Sequence, residues 1–152
     1  MLVPYPDFGK LPVYNFVIEM SASSKKLHKF ADEVLNKGHV NFNIAMPEEK
    51  VLVPGEQRKW RISNWGSAEL PKVKNTRFLN NKLILSAESL IGFPEAALRA
   101  IFKMYGIKVD RGICLADDES EAFLISSDKE DTLKSKHLTR MQMREYGILK
   151  ML

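Results

Sequence analysis

Alternation of apolar and polar residues at 13–20 predicts a β-strand, because successive side chains of a strand point to opposite faces. Its apolar face carries Tyr14, Phe16, Ile18 and Met20. Similar patterns predict further strands at 39–45, 72–79, 82–88, 107–116 and 121–127. The pair Asn80-Asn81 favours a tight hairpin turn between 72–79 and 82–88, since asparagine tolerates positive φ.

Apolar spacings of three and four residues predict three helices. The first spans 23–37 and ends at a glycine, the second begins at Pro94, and the third lies in the polar, basic tail after Thr132. Residues 47–71 are expected to form a long insertion, with Pro54-Gly55 as a turn and one short helical turn near 57–62. The proline-rich first dozen residues are expected to form an irregular arm.

This order of elements predicts an α+β fold. Two strand–helix–strand units with right-handed crossovers give a ferredoxin-like sandwich, with a mainly antiparallel sheet and two helices on one face. A long insertion precedes the third strand, and a helix ends the chain. We expect one ferredoxin-like domain at 1–131, including the irregular arm at 1–12, followed by a basic C-terminal helix or tail at 132–152.

Composition places this 152-residue chain among single-domain globular proteins, with 45% hydrophobic and 28% charged residues. The single cysteine, Cys114, excludes an internal disulfide framework and favours a reducing compartment. The sequence has neither an apolar run long enough for a transmembrane helix nor the pattern of a signal peptide. We therefore expect the protein in the cytoplasm, without a membrane partner.

Charge is distributed in blocks along the chain. Residues 58–82 contain seven basic residues and one acidic residue, whereas 110–131 contain eight acidic residues and two basic ones. Residues 132–152 are again basic, with five cations and one acid. Such blocks attract polyanions or charged proteins, although charge runs are more often simply solvated faces.

The basic block at 58–82 is one candidate binding segment, because it interleaves cations with aromatic rings that could stack on bases. Its candidate macromolecule-binding residues are Arg58, Lys59, Trp60, Arg61, Trp65, Lys72, Lys74 and Arg77. The competing interpretation is that the tryptophans hold the insertion onto the sheet, which we favour for Trp65. A second candidate is the tail, as a partner-binding helix with Arg140, Met141, Arg144 and Tyr146.

Catalytic and metal-binding patterns are absent from the sequence. The three histidines, His28, His39 and His137, are far apart along the chain, and Cys114 has no neighbouring cysteine. The acidic run at 117–121 lacks the glycine and the alternation of a calcium loop. No glycine-rich phosphate loop is present. We therefore expect no cofactor and no metal, and an enzyme remains an alternative whose site is not visible in the sequence.

Two short motifs resemble a known family. Met46-Pro47-Glu48-Glu49 follows the second predicted strand, and Asn64-Trp65-Gly66-Ser67 precedes the third. With Asn15 in the first strand, this arrangement over about 13–127 is similar to the YubB-type ferredoxin-like domain of plasmid and bacteriophage proteins. The chain departs from that family at Pro12-Val13-Tyr14 and at 87–91. The resemblance implies a ferredoxin-like fold and a mobile-element setting, without an established reaction.

These observations predict a non-catalytic accessory protein of a bacteriophage or mobile element. We expect it to bind a host macromolecule, and in the first place a host protein whose activity it modulates. The alternatives are a module that binds RNA or single-stranded DNA through 58–82, and an enzyme.

Overall fold

A computed structural model describes residues 11–50 and 53–147 of the chain. Their structure is α+β, with a six-stranded antiparallel sheet and four α-helices, which confirms the predicted fold class at this level. The elements are β1 (Val13–Ser21), α1 (Ser24–Val34), α2 (Pro54–Asn64), β2 (Lys72–Leu79), β3 (Lys82–Leu90), α3 (Glu95–Tyr105), β4 (Lys108–Ala116), β5 (Ala122–Ser127), β6 (Leu133–His137) and α4 (Arg140–Glu145). The predicted arm at 1–10 and the end of the tail at 148–152 lie outside the described residues.

The sheet has the order β2-β3-β1-β4-β5-β6, and every neighbouring pair of strands is antiparallel. The predicted strands at 13–20, 72–79, 82–88, 107–116 and 121–127 are confirmed. The hairpin between β2 and β3 turns at Asn80, whose φ is 56°, as expected for an asparagine in such a turn. Strand β1 lies between β3 and β4, so the first strand of the chain is central in the sheet.

Helices α1 and α3 cover one face of this sheet. Ser23 caps α1 by accepting a hydrogen bond from the Lys26 amide, and Gly106 ends α3 in the left-handed conformation. The apolar stripes of both helices pack on the buried face of the central strand, which carries Tyr14, Phe16, Ile18 and Met20. The predicted helix at 23–37 is confirmed, although α1 already ends at Val34.

The predicted strand at 39–45 is wrong. The chain makes only an isolated bridge from His39 to Lys72 and then a 3₁₀ helix at Phe42–Ile44. Asn41 Oδ1 accepts a hydrogen bond from the Asn43 amide at 3.1 Å, and Asn43 Oδ1 accepts one from the Glu48 amide at 2.9 Å. These side chains offer the backbone local partners in place of a sheet ladder. The alternation of apolar and polar residues at 39–45 therefore reflects an irregular segment whose apolar side chains, Val40 and Phe42, pack in the core.

The insertion at 47–71 contains a full helix instead of one short helical turn. Pro54 occupies its first turn, where a missing amide hydrogen is harmless and the fixed φ suits a helix. The prediction of a Pro54-Gly55 turn is therefore wrong, because these residues begin α2.

The tail departs from the predicted helix after Thr132. Residues 133–137 form β6, which pairs with β5 along the whole strand, and only Arg140–Glu145 are helical. Leu133 is buried while Lys134 and Lys136 are exposed, so the segment has the two-residue period of a strand. Arg99 Nε donates a hydrogen bond to the Leu133 carbonyl at 3.0 Å, which fixes β6 to α3.

Candidate functional site

The Asn64–Ser67 motif holds the insertion in the core. Trp65 is 1% exposed, packs edge-on against Phe42, and donates from its indole Nε1 to the Met46 carbonyl oxygen at 2.9 Å. Asn64 Nδ2 donates to the Trp60 carbonyl at 2.8 Å. The prediction that Trp65 contacts a macromolecule is therefore corrected: its ring is a core element and is not presented to a ligand.

Glycine is required in this motif for a steric reason. Gly66 has a φ of 94°, a conformation that strains any residue with a Cβ. A Cβ there would also lie 3.0 Å from the carbonyl oxygen of Phe93. The motif thus turns tightly against the loop that precedes α3.

Arg61 belongs to the same structural unit. Its guanidinium forms a two-pronged pair with Glu48, with Nε to Oε2 at 2.6 Å and Nη2 to Oε1 at 3.0 Å. It also lies over the Trp65 ring, 5.8 Å from the centroid. The hydrogen bond to Glu48 raises the pKa of Arg61, so this cation is engaged inside the protein.

The other basic residues of the 58–82 segment lie at the surface. Arg58 and Lys59 are exposed on α2, and Lys72, Lys74 and Arg77 are exposed on β2. Trp60 is half-buried against Trp65, with its ring centroid 5.7 Å away at a nearly perpendicular angle. The structure therefore divides this block into two parts. Arg61 and Trp65 contact the Met46–Glu49 turn and form what we call the clamp, whereas the remaining cations are exposed on α2 and β2.

The sheet has a second face, turned away from α1 and α3, which we call the open face. Register aligns Val17, Ile113 and Leu124 side by side across β1, β4 and β5. Val17 is 41% exposed, and Ile113 and Leu124 are partly exposed. Ile84 on β3 is diagonal to Val17 in this array. The centre of the open face is thus an apolar row that is accessible to solvent.

Cations surround this row. The six strands contain eight basic residues, all on the open face by register or ion pairing: Lys72, Lys74, Arg77, Lys82, Lys108, Arg111, Lys134 and Lys136. They contain three acidic residues, also on this face: Glu19, Glu88 and Asp110. The excess positive charge is distributed over both edges of the sheet, so the face attracts negatively charged partners.

Glu19 and Asp110 organise one end of the open face, while Glu88 pairs with Lys74 on β2. Lys82 Nζ lies 2.7 Å from Asp110 Oδ2 and 3.6 Å from Glu19 Oε2, and Arg111 Nε lies 3.4 Å from the same Glu19 oxygen. Burial alone would raise the pKa of Asp110, but hydrogen bonds from Lys82 and Ser21 hold it below its usual value. This network holds the side chains of Lys82, Asp110 and Arg111 in place on the inner strands. It does not neutralise the cations on the edge strands β2 and β6.

The helix α4 covers the part of the open face that adjoins the Leu124 end of the apolar row. Met143 and Leu138 are buried against Ala122, with Leu115 and Leu124 packed around them. The tail helix therefore docks on the sheet of its own chain. The predicted tail residues Arg140, Met141, Arg144 and Tyr146 are all exposed, with Met141 69% exposed, so they line the outer side of α4.

An open cleft of about 600 Å³ lies at the other end of β1, between Pro12 and the β4–β5 turn. Tyr14 Oη donates to Glu121 Oε1 at 2.6 Å, and His137 Nε2 lies 3.3 Å from Glu121 Oε2. Burial, reinforced by the hydrogen bond to Glu121, raises the pKa of Tyr14, so its phenol keeps its proton. Burial also raises the pKa of Cys114 to about 12, which disfavours a thiolate nucleophile.

Sequence reasoning missed most of the open face. Lys108, Arg111, Lys134 and Lys136 were not proposed as site residues, and neither was the apolar row around Val17. The available signal was the second face of each strand, because Val17, Ile113 and Leu124 alternate with core residues. Pairing register, which aligns them, is a tertiary property.

Comparison with known proteins gives no relative: no family model, no curated protein and no solved structure matches the chain. Within 11–50 and 53–147, no helix is long and apolar enough to cross a membrane. The same residues contain no group of three or more histidine, cysteine or acidic side chains arranged to hold a metal ion.

Proposed function

We propose that the chain is a YubB-type, ferredoxin-like accessory protein of a mobile element that acts in the bacterial cytoplasm. The order β2-β3-β1-β4 supports the fold, since α1 and α3 each connect strands that have one strand between them. The family assignment is supported by the contact between the two motif segments, from Trp65 Nε1 to the Met46 carbonyl.

Its proposed activity is binding of a host protein through the open face. The carrying observation is the apolar row of Val17, Ile113 and Leu124, set in a face with eight basic and three acidic residues. Protein interfaces combine an apolar centre with a polar rim in this way. The partner surface is expected to be apolar at its centre and acidic around it, because complementary charge steers association and fixes register.

Nucleic acid is the alternative partner, and the exposed run of Lys72, Lys74 and Arg77 on β2 favours it. Stacking platforms, however, need aromatic rings facing the strand being bound. The strand residues on the open face include no aromatic side chain within the described part of the chain. Phe78 lies instead on the helical side, stacked on His28 at 4.3 Å. These features favour a protein partner.

The test is site-specific photo-crosslinking in a lysate of the bacterial host. A photoreactive amino acid replaces Val17 at the centre of the open face, and the matched control replaces Met104, which is 56% exposed on α3. We expect one protein to crosslink from position 17 and not from position 104, with the adduct unchanged by nuclease. Adducts that disappear with nuclease would assign the face to nucleic acid, and equal adducts from both positions would overturn a specific site.

Charge reversal supplies the second arm. Arg77→Glu and Lys136→Glu invert cations at the two edges of the open face, and Lys37→Glu inverts an exposed cation after α1. Like-charge juxtaposition at an interface slows association and raises Kd. We expect each edge variant to weaken crosslinking from position 17 about tenfold, as a Kd change worth about 1.4 kcal/mol. The Lys37 control should retain it.

A further inference from the structure

Strand β2 lies at one edge of the sheet, and its outer side is only partly covered. The segment 38–40 runs along its start: Val73 N donates to the Gly38 carbonyl at 2.8 Å, and Val40 N donates to the Pro71 carbonyl at 2.9 Å. The rest of β2, Lys74–Leu79, continues from there to the β2–β3 hairpin and is not paired with this segment. Among the residues that the structure describes, no strand pairs with their outer side.

This stretch is the longer open edge of the sheet. All six residues from Lys74 to Leu79 are exposed, whereas the opposite edge strand, β6, has five residues and is held to α3 through Arg99. An edge strand presents alternating amide hydrogens and carbonyl oxygens that can pair with another extended chain. A six-residue edge is long enough for a typical added strand.

Self-pairing of this edge is disfavoured by its charge. Lys74 and Arg77 carry the only formal charges among its six residues, and both are positive. A second copy added to the edge would bring these cations close to their equivalents, and cations on edge strands are a known guard against such pairing. An added strand with acidic side chains would meet the same cations favourably.

The two sides of the edge differ in chemistry, which defines the pattern of the added strand. On the open-face side, Arg77 lies opposite Ile84. On the helical side, Phe78 is 38% exposed and stacks on the imidazole of His28. Because side chains of a strand alternate between faces, acidic residues would lie beside Arg77 and apolar residues beside Phe78.

We propose that the Lys74–Leu79 edge accepts an extended acidic peptide segment of a partner protein as an additional strand. A peptide supplies both donors and acceptors to the edge, whereas a phosphate backbone supplies only acceptors and would leave the edge carbonyl oxygens without a donor. The edge shares Lys74 and Arg77 with the open face, but strand addition uses the backbone of β2, so the inference does not depend on the apolar row proposed above as a binding centre.

The test uses the whole chain and an end-blocked octapeptide in which glutamate alternates with valine. Amide hydrogen exchange is followed by NMR with and without the peptide. We expect added protection in 74–79 and none in β6. A peptide with the same sequence but N-methylated at every backbone amide has no donor for the ladder on either of its edges, so it should give no protection. A version with lysine in place of glutamate should bind at least tenfold more weakly.

Variants of the protein separate edge pairing from general charge attraction. Arg77→Glu should weaken peptide binding about five- to tenfold, the range expected for reversing one exposed charge pair. Lys103→Glu, which inverts an exposed cation on α3, should leave peptide binding unchanged. Tight binding of the N-methylated peptide, or protection outside 74–79, would overturn the inference.

Two further readouts identify a different occupant. A twenty-nucleotide single strand of deoxythymidine that protects 74–79 as strongly as the peptide would assign the edge to nucleic acid and overturn a peptide site. Dimerisation of the protein alone in sedimentation, accompanied by protection of the 74–79 amides that rises with protein concentration, would assign the edge to a second copy and overturn a peptide site. If the peptide does not bind but a host protein still crosslinks from position 17, the edge proposal is overturned and the open-face proposal stands.

Discussion

The indole Nε1 of Trp65 donates to the carbonyl oxygen of Met46 at 2.9 Å, across nineteen positions of sequence. This bond joins the Met46–Glu49 turn to the Asn64–Ser67 motif, and the pair between Arg61 and Glu48 reinforces the joint. The insertion between α1 and β2 is therefore closed on itself by its two most distinctive sequence segments. Their co-occurrence has a structural cause, because each segment supplies half of one clamp.

Replacement of Trp65 should destabilise the fold severely. Trp65→Ala removes a fully buried ring, and we expect a loss of about 3–5 kcal/mol in the free energy of unfolding. Trp65→Phe keeps an aromatic ring but leaves the Met46 carbonyl without its donor, at a cost of about 1–3 kcal/mol. Urea unfolding followed by circular dichroism measures both. A Trp65→Ala protein of unchanged stability would contradict the clamp.

Arg61 should matter for stability, unlike its neighbour Arg58. Because the Arg61–Glu48 pair is partly exposed, Arg61→Ala is expected to cost about 1 kcal/mol. Arg61→Lys should not restore stability, since lysine cannot form the two-pronged contact with Glu48. Arg58→Ala, on an exposed position of α2, should change stability by less than about 0.5 kcal/mol. Urea unfolding midpoints measure the stability of each variant. Equal destabilisation by Arg61→Ala and Arg58→Ala would show that the Arg61–Glu48 pair does not stabilise the fold.

The docking of α4 can be tested with two methionines on the same helix. Met143 is buried on the sheet and Met141 is 69% exposed. We expect Met143→Ala to cost about 2 kcal/mol and Met141→Ala to remain within about 0.5 kcal/mol of the parent. Thermal unfolding gives the stabilities, and hydrogen exchange of the α4 amides reports whether the helix leaves the sheet. Matching behaviour of the two variants would indicate that α4 does not dock.

Acid should remove the contribution of Asp110. Its pKa lies below 3.8 in the folded protein, so the carboxylate stabilises the fold above that pH, and this contribution is lost as the pH falls through the folded pKa. The difference in unfolding free energy between the parent and Asp110→Asn should be constant near neutral pH and shrink below pH 3.8. When both proteins also carry Lys82→Met, the pH dependence of this free-energy difference should diminish, because Lys82 donates the principal hydrogen bond to the Asp110 carboxylate. A free-energy difference between the parent and Asp110→Asn that grows as the pH falls would contradict this prediction.

Local pattern predicted most of the elements because the physical cause of each was local. The alternation in β1, the apolar stripe of α1 and the asparagine turn at Asn80 are each readable within one segment. At 39–45 the same alternation misled, because asparagine side chains satisfied the backbone locally and the apolar residues packed without a ladder. At 133–137 the strand is only five residues long, and the helical spacing of the apolar residues that follow it predicts a helix for the whole tail.

The candidate site was predictable only in part. The exposed cations of β2 were identified from composition, but Arg61 and Trp65 were drawn from the same block and serve the clamp instead. Sequence proximity could not separate them, because burial depends on which face of α2 meets the core. The apolar row on the open face likewise exists only once pairing aligns Val17 with Ile113 and Ile113 with Leu124.

The sequence by itself determined the α+β class, the central amphipathic strand, the two covering helices and the excess of cations in β2. The physical reason is that hydrophobic period, caps and charge act within a few residues of each other. Only the tertiary structure decided that Trp65 and Met46 close the insertion, that β6 extends the sheet, and that, among the described residues, α4 covers only part of the second sheet face. Those outcomes depend on contacts between distant segments, where burial and strand register are set by the packed chain as a whole.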